Sequence, residues 1–170
     1  MWFFIISQRI GKHFGKQIFN QVALKLATTD LEYIGNNVSG LIDCLHDSKI
    51  FVTGGTGFIG KWMLESFVYL NRKYSLNASM IVLTRNYDLF KDHYYKLAKA
   101  DELKFITGDI CSFDFPEGKI DYIIHAATDT SAVLNIDDPI VISDSICLGT
   151  RRVLDLAKIK EVKKILFLSS

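Results

Sequence analysis

Proline is nearly absent from this chain, with 2 in 170 residues, and cysteine is scarce at 3. So little proline argues against long disordered linkers, because such segments are usually rich in it. Cys44, Cys111 and Cys147 lie far apart and are odd in number. They offer neither a disulfide framework nor a metal-ligand spacing, and a reducing, cytoplasmic setting fits them best. The four histidines (His13, His46, His93 and His125) make no ligand cluster, which argues against a metal site. An excess of one charge is also missing: 20 Lys and Arg against 19 Asp and Glu leave a net charge of +1. A surface built for nucleic acid shows as basic excess, so no nucleic-acid partner is expected. No run of about 18 apolar residues occurs, so no transmembrane segment is expected. The apolar run Met1 to Ile6 is too short for a signal h-region and follows no positive charge. No GxSxG elbow appears, and no P-loop lysine follows the glycines described below, so hydrolase and NTPase readings fail.

What is present reads as one globular domain. The length suffices to bury a core, and 49% of the residues are hydrophobic against 23% charged. Residues 2 to 26 carry a helical stripe of Phe3, Ile6, Ile10, Phe14, Ile18 and Val22, with Arg9, Lys12, His13, Lys16 and Lys25 opposite. Such a helix can lie on an anionic membrane surface. The preferred reading docks it on the domain or at a subunit contact, a homodimer included, because amphipathic helices usually pack on protein. Residues 8 to 27 are the predicted first helix. A second, capped by Thr29-Asp30, runs on through Leu45 despite Gly35 and Gly40. Residues 1–47 thus form an N-terminal helical extension, and 48–170 form the main domain.

That domain alternates strand and helix patterns. Strands are expected at 49–53, 80–84, 103–107, 120–125 and 163–169. Helices are expected from Phe58 to about Arg72, from Asp88 to Lys99 with Leu89, Phe90, Tyr94 and Leu97 inward, and from Asp138-Pro139 to about Lys158. The segment 71–77 reads as a turn. The unbroken apolar strands suit a parallel sheet covered on both faces. The right-handed crossover rule then gives an α/β, doubly wound parallel sheet of Rossmann type, ordered 3-2-1-4-5.

The chemistry concentrates where strands end. Ile50-Phe51-Val52-Thr53 leads into Gly54-Gly55-Thr56-Gly57-Phe58-Ile59-Gly60. Glycines at this spacing between a strand and a helix suit a dinucleotide. Gly54 turns the chain, Gly57 admits a pyrophosphate to the backbone, and Gly60 lets the helix pack close. The helix N-terminus then holds the phosphates. About 20 residues beyond the glycines a ribose-binding acid is expected. Thr84-Arg85-Asn86 stands there instead. Arg85 can receive a 2′-phosphate, which leans the cofactor from NAD towards NADP. Asp109 can accept from an adenine amino group, or it can simply begin a turn. Ala126 and Ala127, after the fourth strand, let a cofactor pass close to backbone. His125 beside them reads as a packed core histidine, and the hydroxyls of Ser169 and Ser170 stand at the fifth strand tip.

In this order and spacing, Thr53 to Gly60, Gly108-Asp109-Ile110, His125-Ala126-Ala127, Gly149-Thr150 and Phe167-Leu168-Ser169-Ser170 resemble the extended short-chain dehydrogenase/reductase superfamily. Within it the chain resembles the NAD-dependent epimerase/dehydratase family over about 49–170. The resemblance implies an NAD(P) cofactor held by Thr53, Gly54, Gly57, Phe58, Ile59, Gly60, Arg85, Asp109, Ile110, Ala126 and Ala127, with Thr128 near a nucleotide-sugar substrate. It implies hydride abstraction to a keto-sugar, and a role in sugars for surface polysaccharides. Ser170 matches the family's substrate-oxygen hydroxyl. The catalytic tyrosine and lysine, in a YxxxK motif farther on, have no match here. Tyr69 and Lys73, and Tyr95 and Lys99, have the spacing but precede the fourth strand. Ile146 stands where many members place an asparagine. The expectation is therefore the cofactor-binding part of such an enzyme, truncated before its catalytic half and without turnover. Its fifth strand would then be an exposed, association-prone edge. Two other readings are an NADP-dependent carbonyl reductase of the same fold and a non-catalytic dinucleotide-binding or interaction module.

Overall fold

A computed structural model describes residues 28–127 and 139–168. The stripe of residues 2 to 26, the first expected helix and the Asp138 cap lie outside them. Helix α1 (Thr28–Val38) leads into a 3-10 helix (Ser39–Leu45), then strand β1 (Lys49–Thr53) and helix α2 (Phe58–Lys73). Strand β2 (Ser79–Thr84) is followed by two short helices, α3 (Tyr87–His93) and α4 (Tyr95–Ala98), and by strand β3 (Leu103–Thr107). After a long connection come β4 (Tyr122–His125), α5 (Pro139–Ile159) and β5 (Lys164–Phe167). All strand pairs are parallel and the order is β3-β2-β1-β4-β5, as the alternation and the crossover rule require.

The unbroken apolar strands are explained by burial on both faces. Ile50, Val52, Met80, Val82 and Ile124 point into one core with Met63, Leu64 and Phe67 of α2. Phe51, Ile81, Leu83 and Ile123, one step out of phase, point into the other with Val153 and Leu156 of α5. Ile34, Val38 and Ile42 join the first core. Among the described residues no helix is long and apolar enough to cross a membrane.

Local departures from the sequence reading have physical causes. The second helix ends as α-helix at Val38. Gly35 sits where α1 closes on α2: a Cβ there would meet Lys73 Nζ at 3.2 Å and Leu70 Cδ2 at 3.5 Å. Gly40 meets nothing within 4 Å, and the chain around it tightens into 3-10 geometry. Asn71 belongs to α2, and its buried amide holds the following turn, donating to Ala78 O (3.1 Å) and accepting from Ala78 N–H (3.0 Å). The single helix expected over 88–99 is broken at Tyr94, and Leu89, expected inward, is 57% exposed. Its neighbour Phe90 is buried, stacking near Tyr94 and Phe105. All four residues of β5 are exposed, and β5 forms one edge of the described sheet.

At the amino ends of the strands a single carboxylate ties the starts of β1, β4 and β5 together. Asp121, just before β4, accepts from Lys49 N–H at 3.1 Å and lies 2.6 Å from Lys119 Nζ and 3.0 Å from Lys163 Nζ. Its own backbone bonds to Lys49 O and to Lys163 N–H. The lysine and backbone donors hold its carboxyl well below the usual carboxylate range. A folded-state value below the unfolded one means stability that is complete above the ordinary carboxylate range and is lost as pH falls through it. Because both lysines are exposed, most of the effect belongs to the buried charged acceptor. Asp121→Asn is expected to cost about 1–2 kcal/mol at neutral pH in urea unfolding. The difference from the unmodified chain should shrink as pH drops below about 4.

Candidate functional site

The register brings the carboxyl ends of the strands to one level. Thr53 lies opposite both Leu83 and His125, Thr84 opposite Thr107, and His125 opposite Phe167. The chain order reverses between β1 and β4, and ligands of open α/β sheets bind in the crevice at such a point. Thr53, Gly54, Gly57, Phe58, Ile59, Gly60, Arg85, Asp109, Ile110, Ala126 and Ala127 all lie on or directly after these ends. Thr128 and Ser170 lie outside the described residues.

The glycine turn is tight and mostly dictated by the chain itself. Gly54 has φ +73°, and a Cβ on it would run into the Ala126 carbonyl and stand 2.7 Å from Ala127 N. A Cβ on Gly55 would sit 2.8 Å from Val82 Cγ1, and one on Gly60 would strike the Gly54 and Gly55 carbonyls. Gly60 thus packs the helix against its own turn rather than against the strand. Gly57 differs. It has ordinary extended backbone, it is exposed, and a Cβ there would meet Gly54 O at 3.2 Å and nothing else within 4 Å. A side chain at 57 would thus press only on the carbonyl that closes the turn. Gly57 N–H closes the turn on Gly54 O (3.1 Å), and Lys61 N–H begins α2 on Gly57 O (3.0 Å). The N-cap Gly57 supplies no side-chain cap and no acid stands in the first turn of α2, an arrangement that suits an anion. Phe58 and Ile59 in that turn are 42% and 39% exposed.

Behind the turn, one hydroxyl organises the tips of β1 and β4. Thr53 Oγ1 accepts from Ala127 N–H (3.1 Å) and shares Ala126 N–H (3.2 Å). Its proton is then directed at His125 Nδ1, 2.7 Å away. That assigns the imidazole hydrogen to Nε2, which faces Thr150 Oγ1 of α5 at 3.3 Å. His125 is buried with its ring against Phe167, and burial pushes its pKa down, keeping it neutral. It is a structural histidine, placed to fix the Ala126-Ala127 backbone.

At the β2 tip, Thr84 Oγ1 meets Thr56 Oγ1 of the glycine turn at 3.3 Å and accepts from Asn86 N–H at 3.3 Å. Asn86 in turn caps α3 by accepting from Leu89 N–H. Arg85 lies between them, exposed. After β3, the Asp109 carboxylate accepts from Cys111 N–H (2.9 Å), and its carbonyl accepts from Ser112 and Phe113 N–H. Asp109 therefore begins a turn and also presents an exposed carboxylate. Ile110 packs on α5 at Gly149, where a Cβ would lie 2.8 Å from Ile110 Cγ1.

The sequence reading assigned no role to Thr56, Thr84 or Thr150. Hydroxyl links across separate elements leave no spacing signal, and Gly149-Thr150 stands out in the sequence only as a pair. The Tyr-Lys pairs are placed away from the site. Lys73 lies with its Nζ 5.5 Å from the Tyr69 ring at the far end of α2, and Tyr95 is 61% exposed on α4. Lys61 donates to Tyr94 OH at 2.8 Å and joins α2 to the α3–α4 break. Ile146 is exposed on α5.

A parallel sheet of this order, with a glycine turn leading into a helix N-terminus at its switch point, defines the Rossmann class of α/β domain. The chain belongs to the NAD-dependent epimerase/dehydratase family, whose model matches residues 50–170. It is 31% identical over 134 residues to a dTDP-D-glucose 4,6-dehydratase of Dictyostelium discoideum, covering 75% of this chain and 30% of that protein. It is likewise 31% identical over 126 residues to a UDP-glucuronate 4-epimerase of Thermodesulfobacterium geofontis, covering 70% and 38%. Among solved structures it is similar to DesIV, a dTDP-glucose 4,6-dehydratase from Streptomyces venezuelae with NAD and TYD bound. The TM-score is 0.52 and the identity 26%, over 69% of this chain and 38% of that one. The chain thus spans roughly a third of the length of the curated relatives it matches.

Two measurements check the Thr53 hub. Thr53→Val keeps the shape but strands the Ala127 N–H and the His125 acceptor, and should cost about 2–3 kcal/mol in chemical unfolding. For His125, a folded pKa below the unfolded 6.5 means stability is complete above that value and declines as pH falls below it. Imidazole nitrogen shifts should report the Nε2–H tautomer at neutral pH, with protonation beginning below the ordinary histidine range.

Proposed function

We propose that this chain holds a nicotinamide dinucleotide along the carboxyl edge of its sheet, as the cofactor-binding part of an enzyme that epimerises or dehydrates a nucleotide sugar. The observation that carries the reading is the glycine turn that ends at exposed Gly57, the N-cap of α2, at the switch point of the sheet. With no side chain on its exposed side, Gly57 lets a ligand approach the backbone there. The family and the two named relatives, one a dehydratase and one an epimerase, support the reaction class.

Each element has a task in this reading. The first turn of α2 binds the pyrophosphate through backbone N–H groups and its dipole. The Asp109 carboxylate accepts from the adenine amino group, with Ile110 beside it. Ala126 and Ala127, held by Thr53, keep that wall of the crevice low. Arg85 takes a 2′-phosphate, which favours NADP over NAD. The chemistry the dinucleotide supplies when bound is hydride acceptance from a sugar carbon. Thr128 contacts the substrate and Ser170 hydrogen-bonds the reacting oxygen. Proton abstraction is assigned to no residue of this chain, since neither Tyr-Lys pair stands at the sheet's carboxyl edge.

Calorimetric titration with NADH and NADPH tests the site. Gly57→Val suits the extended backbone there but sets a Cβ 3.2 Å from Gly54 O, so thermal melts accompany the titrations to confirm that the variant folds. It should weaken binding about a hundredfold, roughly 2.8 kcal/mol. Equal binding by the variant and the unmodified chain would show the glycine-turn assignment to be wrong. Gly60→Ala, by contrast, should lose about 1–3 kcal/mol of stability through overpacking. Arg85→Ser should lower NADPH affinity about tenfold and spare NADH. An equal effect on both cofactors removes the case for NADP.

A further inference from the structure

The loop after β3 is held from across the sheet by one arginine. Arg152 of α5 donates from Nε to Phe113 O at 2.9 Å and from Nη2 to the same oxygen. Its guanidinium lies 5.3 Å from the Phe113 ring centre and 4.6 Å from that of Phe115. Phe113 is buried and stacks on Phe51 of β1, with ring centres 5.3 Å apart. Phe113 N–H also donates to Asp109 O at 2.8 Å. The chain of contacts therefore runs from α5 through one residue to Asp109. A planar fork closing on a single carbonyl fixes both the distance and the direction of that peptide, which a point charge does not. Cys111 N–H then sets the carboxylate itself. One turn earlier on α5, Gly149 gives Ile110 its seat. Gly149 and Arg152 thus hold the Asp109 turn at both ends.

We propose that Arg152 is a positioning residue for adenine recognition, fixing the Asp109 turn so that the site distinguishes an intact adenine amino group. The proposal rests on the dinucleotide reading above. It assigns Arg152 no contact with the ligand. Its effect falls on the selectivity between adenine forms rather than on phosphate binding, because the glycine turn and α2 are fastened separately, by Thr53 and Thr56.

The test compares NADPH and NADH with their ethenoadenine derivatives, whose fused ring removes the amino hydrogens. Calorimetry is run on the unmodified chain, on Arg152→Leu and on Arg152→Lys, with thermal melts as a check of folding. The unmodified chain should prefer the intact dinucleotide by about tenfold or more, as expected for one hydrogen bond to a charged acceptor. Arg152→Leu should bring that ratio to about one, with Arg152→Lys between. If the leucine variant does not fold, the lysine variant decides, because it keeps the charge and loses the fork. A ratio unchanged in the folded variants overturns the role of Arg152, as does an unmodified chain that binds both forms equally. Binding of neither form by the unmodified chain overturns the dinucleotide reading itself, and this proposal with it.

Discussion

Everything at the candidate site depends on a backbone contact without a side chain in it. Gly54 leaves β1 in a left-handed conformation and lies against the Ala126 carbonyl and Ala127 N, where any Cβ would collide. That contact sets the glycine turn against the tip of β4. It is secured by the Thr53 hydroxyl, which reaches Ala126, Ala127 and His125 together. With the turn in place, α2 follows Gly57, an N-cap that brings no side chain to the helix end. Buried β-branched strands on both sides of the sheet keep the register that brings the other loops to the same edge.

The molecule divides its labour along the strand axis. At the amino ends, charges are paired and the bonds serve stability, as around Asp121. At the carboxyl ends, the inner layer is neutral and fully bonded, with hydroxyls of Thr53, Thr84 and Thr150 joining separate elements. The outer layer presents the N-terminus of α2, the Asp109 carboxylate and Arg85, all exposed. A rigid inner layer under an outer layer of binding groups is how a scaffold holds a ligand site in shape. Placing His125 in the inner layer, neutral and with a fixed tautomer, makes it a support rather than an acid or base.

Much of this was legible in the sequence, for reasons particular residues make clear. Strand order followed from five apolar runs separated by helical patterns, and Phe51 and Val52 had to be buried on opposite faces. The glycine turn was visible because strand, glycines and helix adjoin in the chain. The break at Tyr94 was not legible, because the stacking of Phe90 with Tyr94 and the Lys61–Tyr94 bond are tertiary contacts that override helical periodicity. Gly35 read as a flaw in a helix, whereas it marks where α1 approaches α2. The hydroxyl bridges and the Arg152 fork join residues between 25 and 74 positions apart, and no local pattern records them.

The most direct measurement is an amide-resolved NMR titration of the chain with NADPH. The shifts should gather at Gly57 to Gly60, at Asp109 and Ile110, and at Ala126 and Ala127, with saturation. Shifts confined to the groove of Leu31, Val68 and Leu97 between α1, α2 and α4, or no saturable shifts at all, would contradict it.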